Sequence, residues 1–458
     1  MSTHPIAGSS ATAGSAVPAT ATTAPALEPL HDATQQARNL RLVLQDDKQR
    51  IGCFLGAGCP LGIYDAGGTK TITLIPAVVE LTKQVAEGLL AADNASKGTS
   101  EPTQFRTQWD SWCKECQTDG GKEPTVEDVL TELRAIANRR GTAEFLGMSK
   151  AALTALDEKI CSLITERMNK VLPSYRCSYN HFASWVGGVY RTFPVEIFTP
   201  NYDLLFEQAF EQHPLPHFDG FVGSREPWFD LSSIEHDAIP ARWTRLWKLH
   251  GSINWERREE TVGTAQVARV VRVTGEAKEG KVMIFPSHLK YDQSRRMPYL
   301  AMLDRLKAFF HGSIAKARGG SGRLEEDAPR LIICGYSFLD DHLNEVLLDG
   351  LRGNRNAQCF ALMYSDLEDH PRAVQYAEKQ ANLTVLAKNG AVVGTRVGLY
   401  RPGTPNIKEH SPWLYEEVIT TSGAPVNHLR CRLGDFHYFG LFLEQLCGTR
   451  SSDAQPII

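Results

Sequence analysis

The stretch Gly52-Cys53-Phe54-Leu55-Gly56-Ala57-Gly58-Cys59-Pro60 is an apolar run that stops at a pair of glycines and is followed, past a loop, by helix-compatible sequence. A short buried strand opening into a glycine turn is how a doubly wound α/β fold begins its nucleotide site. Gly56 and Gly58 lack Cβ atoms, so their backbone is free to take positive φ and to approach a pyrophosphate closely enough to donate N–H hydrogen bonds. A Gly-Ala-Gly after an apolar strand is equally an ordinary tight turn, and its meaning depends on the sequence around it.

Upstream, His31 to Gln49, with Leu40, Leu42, Val43 and Leu44, reads as an amphipathic helix that delivers the chain to this strand. Downstream, Leu61 to Gly68 reads as a loop, and Ile75 to Ala91 as a helix with Pro76 in its first turn. Periodicity is lost between Ser96 and Lys122, then Thr125 to Asn138 and Met148 to Val171 recover helical spacing. This pattern predicts a helical module inserted into a sheet domain.

The sheet resumes at Val195 to Thr199, which ends in Pro200-Asn201-Tyr202-Asp203 and passes into a helix from Leu204 to Phe210. Leu246 to Leu249 is a further apolar segment, ending at His250-Gly251-Ser252, and Lys281 to Phe285 is a strand closed by Pro286. A helix from about Pro298 to Phe310 and a surface loop at Gly319-Gly320-Ser321-Gly322 precede the cleanest buried strand, Leu331 to Cys334, which breaks at Gly335-Tyr336-Ser337 before a helix from Asp340 to Leu351. Strand, helix and strand follow at Ala357 to Tyr364, Pro371 to Gln380 and Leu383 to Leu386, and the tail reads as loop-rich until a closing helix at His437 to Cys447. Alternating strands and helices imply a doubly wound, Rossmann-like parallel sheet covered on both faces. The expected organisation is a disordered tail at 1–30, a first part of the sheet domain at 31–95, the helical insertion at 96–185, the remainder of the sheet domain at 186–400, and a C-terminal tail at 401–458.

Composition narrows the function. Forty-nine basic against fifty-three acidic residues, a net charge of -4 and the lack of a long cationic run give no electrostatic footprint for direct nucleic-acid binding. The Ala-, Thr-, Ser-, Gly- and Pro-rich N-terminus has neither the cationic start of a secretory signal nor the roughly 20 apolar residues of a membrane span, so a cytoplasmic protein with no membrane partner is expected. The ten cysteines are scattered, several in apolar segments, as befits core thiols of a reducing compartment.

Taken in order and spacing, Gly56-Ala57-Gly58, Thr199-Pro200-Asn201-Tyr202-Asp203, Leu249-His250-Gly251-Ser252 and Gly335-Tyr336-Ser337 resemble the sirtuin superfamily, and more closely its bacterial sirtuin-like branch found in antiviral defence systems. The resemblance spans roughly Arg50 to Leu386. It implies an NAD+ site in which Gly56, Ala57, Gly58 and Cys59, with Gly335, Tyr336 and Ser337, hold the dinucleotide, while Asn201 and His250 flank the nicotinamide ribose. The residue types suit the chemistry on their own terms. Cleavage of the nicotinamide–ribose bond passes through an oxocarbenium-like ribose and needs a group to hold hydroxyls and water and a base of near-neutral pKa. Asn201 donates and accepts without adding charge, His250 takes a proton, and Asp203 binds or orients either one. Each residue also has a plainer reading: Asn201 as a helix N-cap, His250 as a satisfied strand-end histidine, Asp203 as a first-turn acid, Tyr336 and Ser337 as turn hydrogen-bonders, and Asp340 and Asp341 as caps.

The chain departs from the sirtuin pattern in two respects. Deacylating sirtuins carry two Cys-x-x-Cys zinc pairs between the His-Gly and Gly-Ser segments, yet Gly251 to Ile333 holds no cysteine, and Cys113-x-x-Cys116 is a lone upstream pair. The glycine turn continues into Pro60 and Tyr64-Asp65 where sirtuins continue with a serine and Asp-Phe-Arg. The expectation is therefore an NAD+ glycohydrolase with NAD+ as substrate and no metal, held inactive by assembly as a homo-oligomer or with a hexameric HerA-type ATPase, a partner the resemblance implies. The rivals are an NAD-dependent protein deacylase and an NAD- or ADP-ribose-binding regulatory subunit without turnover.

Overall fold

The computed structural model describes residues 27–100, 102–117, 123–137, 144–235, 239–240, 242–262, 265–275, 281–283, 298–311, 328–402, 412–419 and 426–447. Residues 1–26, the loop at Gly319-Gly320-Ser321-Gly322 and Pro286 lie outside the described residues.

The chain enters through β1 (Pro29–His31) and α1 (Ala33–Gln45), reaches β2 (Ile51–Leu55), and leaves the sheet for α2 (Val78–Ser96), α3 (Phe105–Glu115), α4 (Val126–Ala137), α5 (Lys150–Met168) and α6 (Ser178–Gly188). It returns through β3 (Glu196–Thr199), α7 (Leu205–Gln212), β4 (His217–Phe218), β5 (Phe221–Val222), β6 (Trp228–Phe229), α8 (Leu231–Glu235), β7 (Thr244–Lys248), β8 (Gly251–Val262), β9 (Ala265–Arg272) and β10 (Lys281–Met283). The remainder is α9 (Tyr299–His311), β11 (Arg330–Cys334), α10 (Asp341–Gly353), β12 (Gln358–Leu362), α11 (Pro371–Lys379), β13 (Leu383–Leu386), β14 (Gly390–Val393), β15 (Arg396–Tyr400), β16 (Leu414–Ile419), β17 (Val426–Cys431) and α12 (Phe436–Leu446).

Ten strands form the main sheet in the order β1-β15-β14-β13-β12-β11-β2-β3-β7-β4. Its central pairs are parallel, with Leu55 opposite Cys334 and Phe198 opposite both Phe54 and Trp247. Alternate residues of β2 feed two cores. Ile51, Cys53 and Leu55 pack beneath α1, α5, α6 and α12, while Phe54 joins Phe198, Trp247 and the aromatic face of α9. Helices thus cover both faces, the doubly wound Rossmann-like arrangement that uninterrupted apolar strands imply. The chain runs outward from β2 through β3 and β7, then crosses back to start the other half at β11. The topological switch point therefore lies between β2 and β11, where such folds open a crevice at the carboxyl ends of their strands.

Several elements differ from the sequence reading. The helix expected from His31 begins at Ala33, because the Asp32 carboxylate caps it by accepting from the amides of Thr34 (2.8 Å) and Gln35 (3.1 Å). His31 is instead the last residue of edge strand β1, its ring nitrogen 2.9 Å from the Arg396 carbonyl. The polar stretch after Ser96 contains α3, anchored by only two buried side chains, Trp109 and Trp112. Pro76 precedes α2 rather than lying in its first turn. The tail expected to be loop-rich past about Tyr400 contains the antiparallel hairpin of β16 and β17, and just before it β14 and β15, two strands the sequence reading did not identify, extend the main sheet antiparallel. A second, five-stranded sheet, β10-β8-β9-β6-β5, takes β8, β9 and β10 from the chain immediately after His250, in the interval where a zinc module is lacking.

Candidate active site

Because β11, β2, β3 and β7 are consecutive neighbours, the motifs that follow them in sequence come together at one edge of the sheet. The Thr199 hydroxyl donates to the Leu55 carbonyl (2.7 Å) and accepts from the Asn201 amide (3.1 Å), tying the loop after β3 to β2. The Asn201 carboxamide then donates to the Gly56 carbonyl (3.1 Å). Asn201 is therefore no N-cap of α7. The N-cap position falls on Leu204, which has no capping side chain, and just before it the Asp203 carboxylate accepts from the Leu205 amide at 3.0 Å.

The loop after β7 is equally constrained. The Leu249 amide donates to the Thr199 carbonyl (2.8 Å), Gly251 turns the chain at φ 91°, and the Ile253 amide and Ser252 hydroxyl both donate to the Tyr202 carbonyl, at 3.0 and 3.3 Å. His250 is held between them, 6% exposed, with Nε2 3.2 Å from Oδ2 of Asp340. The other Asp340 oxygen accepts from the His342 and Leu343 amides (3.1 and 3.3 Å) and so caps α10. One carboxylate thus anchors a helix and orients an imidazole. A carboxylate only accepts, so its contact favours a proton on Nε2, and in the neutral imidazole the second ring nitrogen, Nδ1, is then the basic one. Replacing Asp340 with Asn keeps the cap but loses the anion that holds this tautomer. The expected result is a loss of about 10²-fold in turnover with little change in melting temperature, read by comparing activity with a thermal melt.

Asp203 lies deeper, 4% exposed. Burial pushes its carboxyl up to about 6, with Lys248 pulling the other way. The Lys248 ammonium is itself buried and bonds to the Asp203 carbonyl and to Glu207 Oε1 at 2.9 Å. A carboxyl raised above its unfolded value of 3.8 binds its proton more tightly in the folded state, so its contribution to stability is complete below that value and is lost as pH rises through about 6. Asp203→Asn is accordingly expected to raise stability at pH 7.5 by about 1–2 kcal/mol and to flatten the decline between about pH 4 and 6, measured by melts across that range.

The glycine turn is built differently from the expectation. Neither Gly56 nor Gly58 has positive φ. Gly58 sits at φ -75°, and the left-handed residue is Gly335 at φ 67°. The Gly56 amide donates to the Cys334 carbonyl (3.0 Å) and the Gly58 amide to the Gly335 carbonyl (2.8 Å). These glycines let two turns pack backbone on backbone, and their amides are engaged there. Cys59 is fully buried behind them, its thiol donating to the Cys334 carbonyl (3.4 Å). What faces outward from the two turns is Ala57 and Ser337, both exposed. The buried Tyr336 hydroxyl donates to Asn344 Oδ1 (2.8 Å), and Asn344 donates to the carbonyl of Phe338 (2.9 Å), a non-glycine residue at φ 57°. Strain of this kind persists only where the surroundings over-determine it, and here it shapes the turn that ends in Asp340.

Asn201, Asp203, His250 and Asp340 all line one cavity of about 270 Å³, with Ala57, Gly335, Tyr336 and Ser337 on the same wall. Gly56, Gly58 and Cys59 support that wall from behind. The sequence reading missed two contributions. Asp340 was readable as a cap, but its second oxygen reaches a histidine 90 residues upstream, a contact no local pattern announces. The opposite wall comes from Ile75 and Leu81, before and on α2, from Val126 and Glu127 at the start of α4, and from Ile164 and Met168 on α5. Cys113 and Cys116 lie on and beside α3, away from the cavity, and burial pushes their thiols up to about 11 and about 12. Among the described residues no group of three or more His, Cys, Asp or Glu side chains is placed to hold a metal ion, and no helix is long and apolar enough to cross a membrane.

A parallel-rich sheet with helices on both faces and a histidine, an asparagine and a glycine turn at its switch point defines a protein of the Rossmann-like nucleotide-site class. Residues 195–386, from the residue before β3 to the end of β13, match the SIR2-like domain family, which supports a sirtuin-like family and implies an NAD+ site. No curated protein matches the chain.

Proposed function

We propose that the protein is an NAD+ glycohydrolase that cleaves the nicotinamide–ribose bond with water to give nicotinamide and ADP-ribose. The observation that carries this reading is the His250–Asp340 pair, 3.2 Å apart and facing the same cavity as Asn201. In it, Nδ1 of His250 takes the proton of the attacking water, Asp340 stabilises the imidazolium that forms, and Asn201, pinned through Gly56, positions the ribose and the water. Departure of neutral nicotinamide leaves positive charge on the ribose, which the carboxylates of the cavity stabilise. The volume sits just below the about 300–1,000 Å³ of typical ligand sites, which suits the nicotinamide riboside half, with the phosphates at the rim formed by Ala57 and Ser337.

A role in antiviral defence by NAD+ depletion, with control by homo-oligomerisation or by a HerA-type ATPase, completes this reading. Product analysis of NAD+ incubated with the purified chain, alone and with a candidate ATPase partner, tests it: equimolar nicotinamide and ADP-ribose are expected. Intact NAD+ under both conditions, together with tight binding by calorimetry, would favour the regulatory subunit. One observation favours a deacylase as a second reading. The wall facing His250 and Asn201 is apolar, with Ile75, Leu81, Ile164 and Met168 suited to an acyl chain. NAD+ turnover that depends strictly on an acyl-lysine peptide would select it.

A further inference from the structure

Lys248, the last residue of β7, carries an ammonium group on a side chain that is 1% exposed. A cation out of water persists only where several acceptors converge on it. Here Nζ donates to the Tyr202 carbonyl (3.4 Å), to the Asp203 carbonyl and to Glu207 Oε1 (2.9 Å). All three acceptors belong to the loop after β3 and the first turn of α7. The Tyr202 carbonyl also accepts from the Ser252 hydroxyl (3.3 Å) and the Ile253 amide (3.0 Å). Donors from both sides of His250 in sequence therefore meet on the residue between Asn201 and Asp203. A plain structural pin would account for the carbonyl contacts, which a neutral donor could serve. The cation adds a field at Asp203.

The Asp203 carboxyl faces titratable groups from four elements: Lys248 on β7, Glu207 on α7, Cys59 in the turn after β2 and Tyr179 on α6. Burial holds the Cys59 thiol and the Tyr179 hydroxyl well above their ordinary values, so both are neutral. On the cavity side Asp203 shares its wall with His250 and Asp340, which pair with each other. Behind that wall one cation and one anion act on it in opposite senses. Against the burial that pushes its carboxyl up to about 6, Lys248 pulls down and Glu207 pushes up. Neither Lys248 nor Glu207 lines the cavity, so any effect on a bound ligand passes through the loop that carries Asn201 and Asp203.

We propose that Lys248 is a positioning residue of the site, which locks the Asn201 loop to the His250 turn and supplies the cation that keeps Asp203 a carboxylate beside the ribose. The inference rests on reading the cavity as a site that cleaves the glycosidic bond of NAD+. An ionised Asp203 then stabilises the positive charge that develops on the ribose as nicotinamide departs, and a protonated one does not. Glu207 opposes the cation, so the two set the charge of Asp203 between them.

Two substitutions with opposite effects test it in the full chain. Lys248→Met keeps the length of the side chain and removes its charge, whereas Glu207→Gln leaves the cation and removes the opposing anion. Asp203 is followed without any ligand by thermal melts from about pH 4 to about pH 8, each protein compared with its own Asp203→Asn partner so that only the Asp203 contribution remains. A raised carboxyl loses its stabilising contribution as pH rises through the folded value. The end of that decline, near pH 6 in wild type, is expected to move up by about one pH unit or more in Lys248→Met and to move down in Glu207→Gln. NAD+ cleavage by Lys248→Met is expected to fall about tenfold at neutral pH and to recover in part by about pH 9, where Asp203 ionises again. Glu207→Gln should show no such recovery. Should Lys248→Met not fold, the direction of the Glu207→Gln shift decides alone. Shifts in one common direction, or none, overturn the assignment, as does a loss of activity in Lys248→Met that raised pH does not relieve. Wild type that leaves NAD+ intact overturns the glycohydrolase reading and the role at the ribose, while the melts still decide whether Lys248 sets the charge of Asp203.

Discussion

Alanine at His250 or at Asn201 is expected to reduce NAD+ cleavage by about 10³-fold or more, the range in which loss of a positioned base or of transition-state hydrogen bonding falls. The two substitutions fail for different reasons. His250→Ala removes the only described imidazole on the cavity and strands the Asp340 carboxylate, which keeps its two amide donors and so its cap on α10. Asn201→Ala removes the carboxamide that bridges from the Gly56 carbonyl to the substrate, while the Thr199 bonds that shape the loop remain. Stability should fall by only about 1 kcal/mol in each, one hydrogen bond's net worth. Because the two residues act on one transition state, the double variant should be little worse than either single one. Nicotinamide release followed by chromatography, beside a thermal melt, checks all of this, and exogenous imidazole should partly restore the His250→Ala enzyme but not Asn201→Ala. Wild-type cleavage by both folded variants would sink the mechanism.

The parts of the molecule that are legible in sequence are those where a single physical demand acts on consecutive residues. β2, β3, β11 and β12 are buried on both faces, so they read as uninterrupted apolar runs, and the polar residues at their ends stand out. That is why Asn201 and the turn at Gly335 are visible in the amino-acid pattern itself, and His250 stands out in the same way just past the fully buried β7. The doubly wound sheet follows from the same signal. Elements with a weak or mixed demand are not visible. α3 buries only two tryptophans along its length. β8 carries Glu256, Arg257, Arg258 and Glu259, a charged run that resembles a loop but pairs antiparallel with β9, with Arg258 bonded to Glu256 at 2.7 Å. The composition of the cavity's second wall could not be read at all, because Ile75, Leu81, Ile164 and Met168 look like any helix core until the helices are docked.

Gly335→Ala is expected to cost about 3–5 kcal/mol, and the reason lies in how the Gly-Ala-Gly turn packs against it. At φ 67° any L side chain is strained, but steric contact costs more than the strain. A Cβ on Gly335 would lie 2.6 Å from the Cys59 amide nitrogen and 3.0 Å from the Gly58 carbonyl carbon. The converse substitutions meet the same obstacle, since a Cβ on Gly56 would be 2.4 Å from the Gly335 carbonyl oxygen and one on Gly58 2.8 Å from the Gly335 Cα. Backbone against backbone has no rotamer through which to relax, so the turns after β2 and β11 must separate, taking Ala57 and Ser337 with them. Gly394 supplies the control. It also has positive φ, 55°, but nothing lies within 4 Å of its Cβ position, so Gly394→Ala should cost only the strain, about 1 kcal/mol. The difference between the two variants in urea or thermal unfolding measures the close approach itself. Equal losses would mean that the two turns do not touch as described. A loss confined to Gly335→Ala, accompanied by weaker dinucleotide binding, would place the glycines as the joint that holds the two halves of the site together.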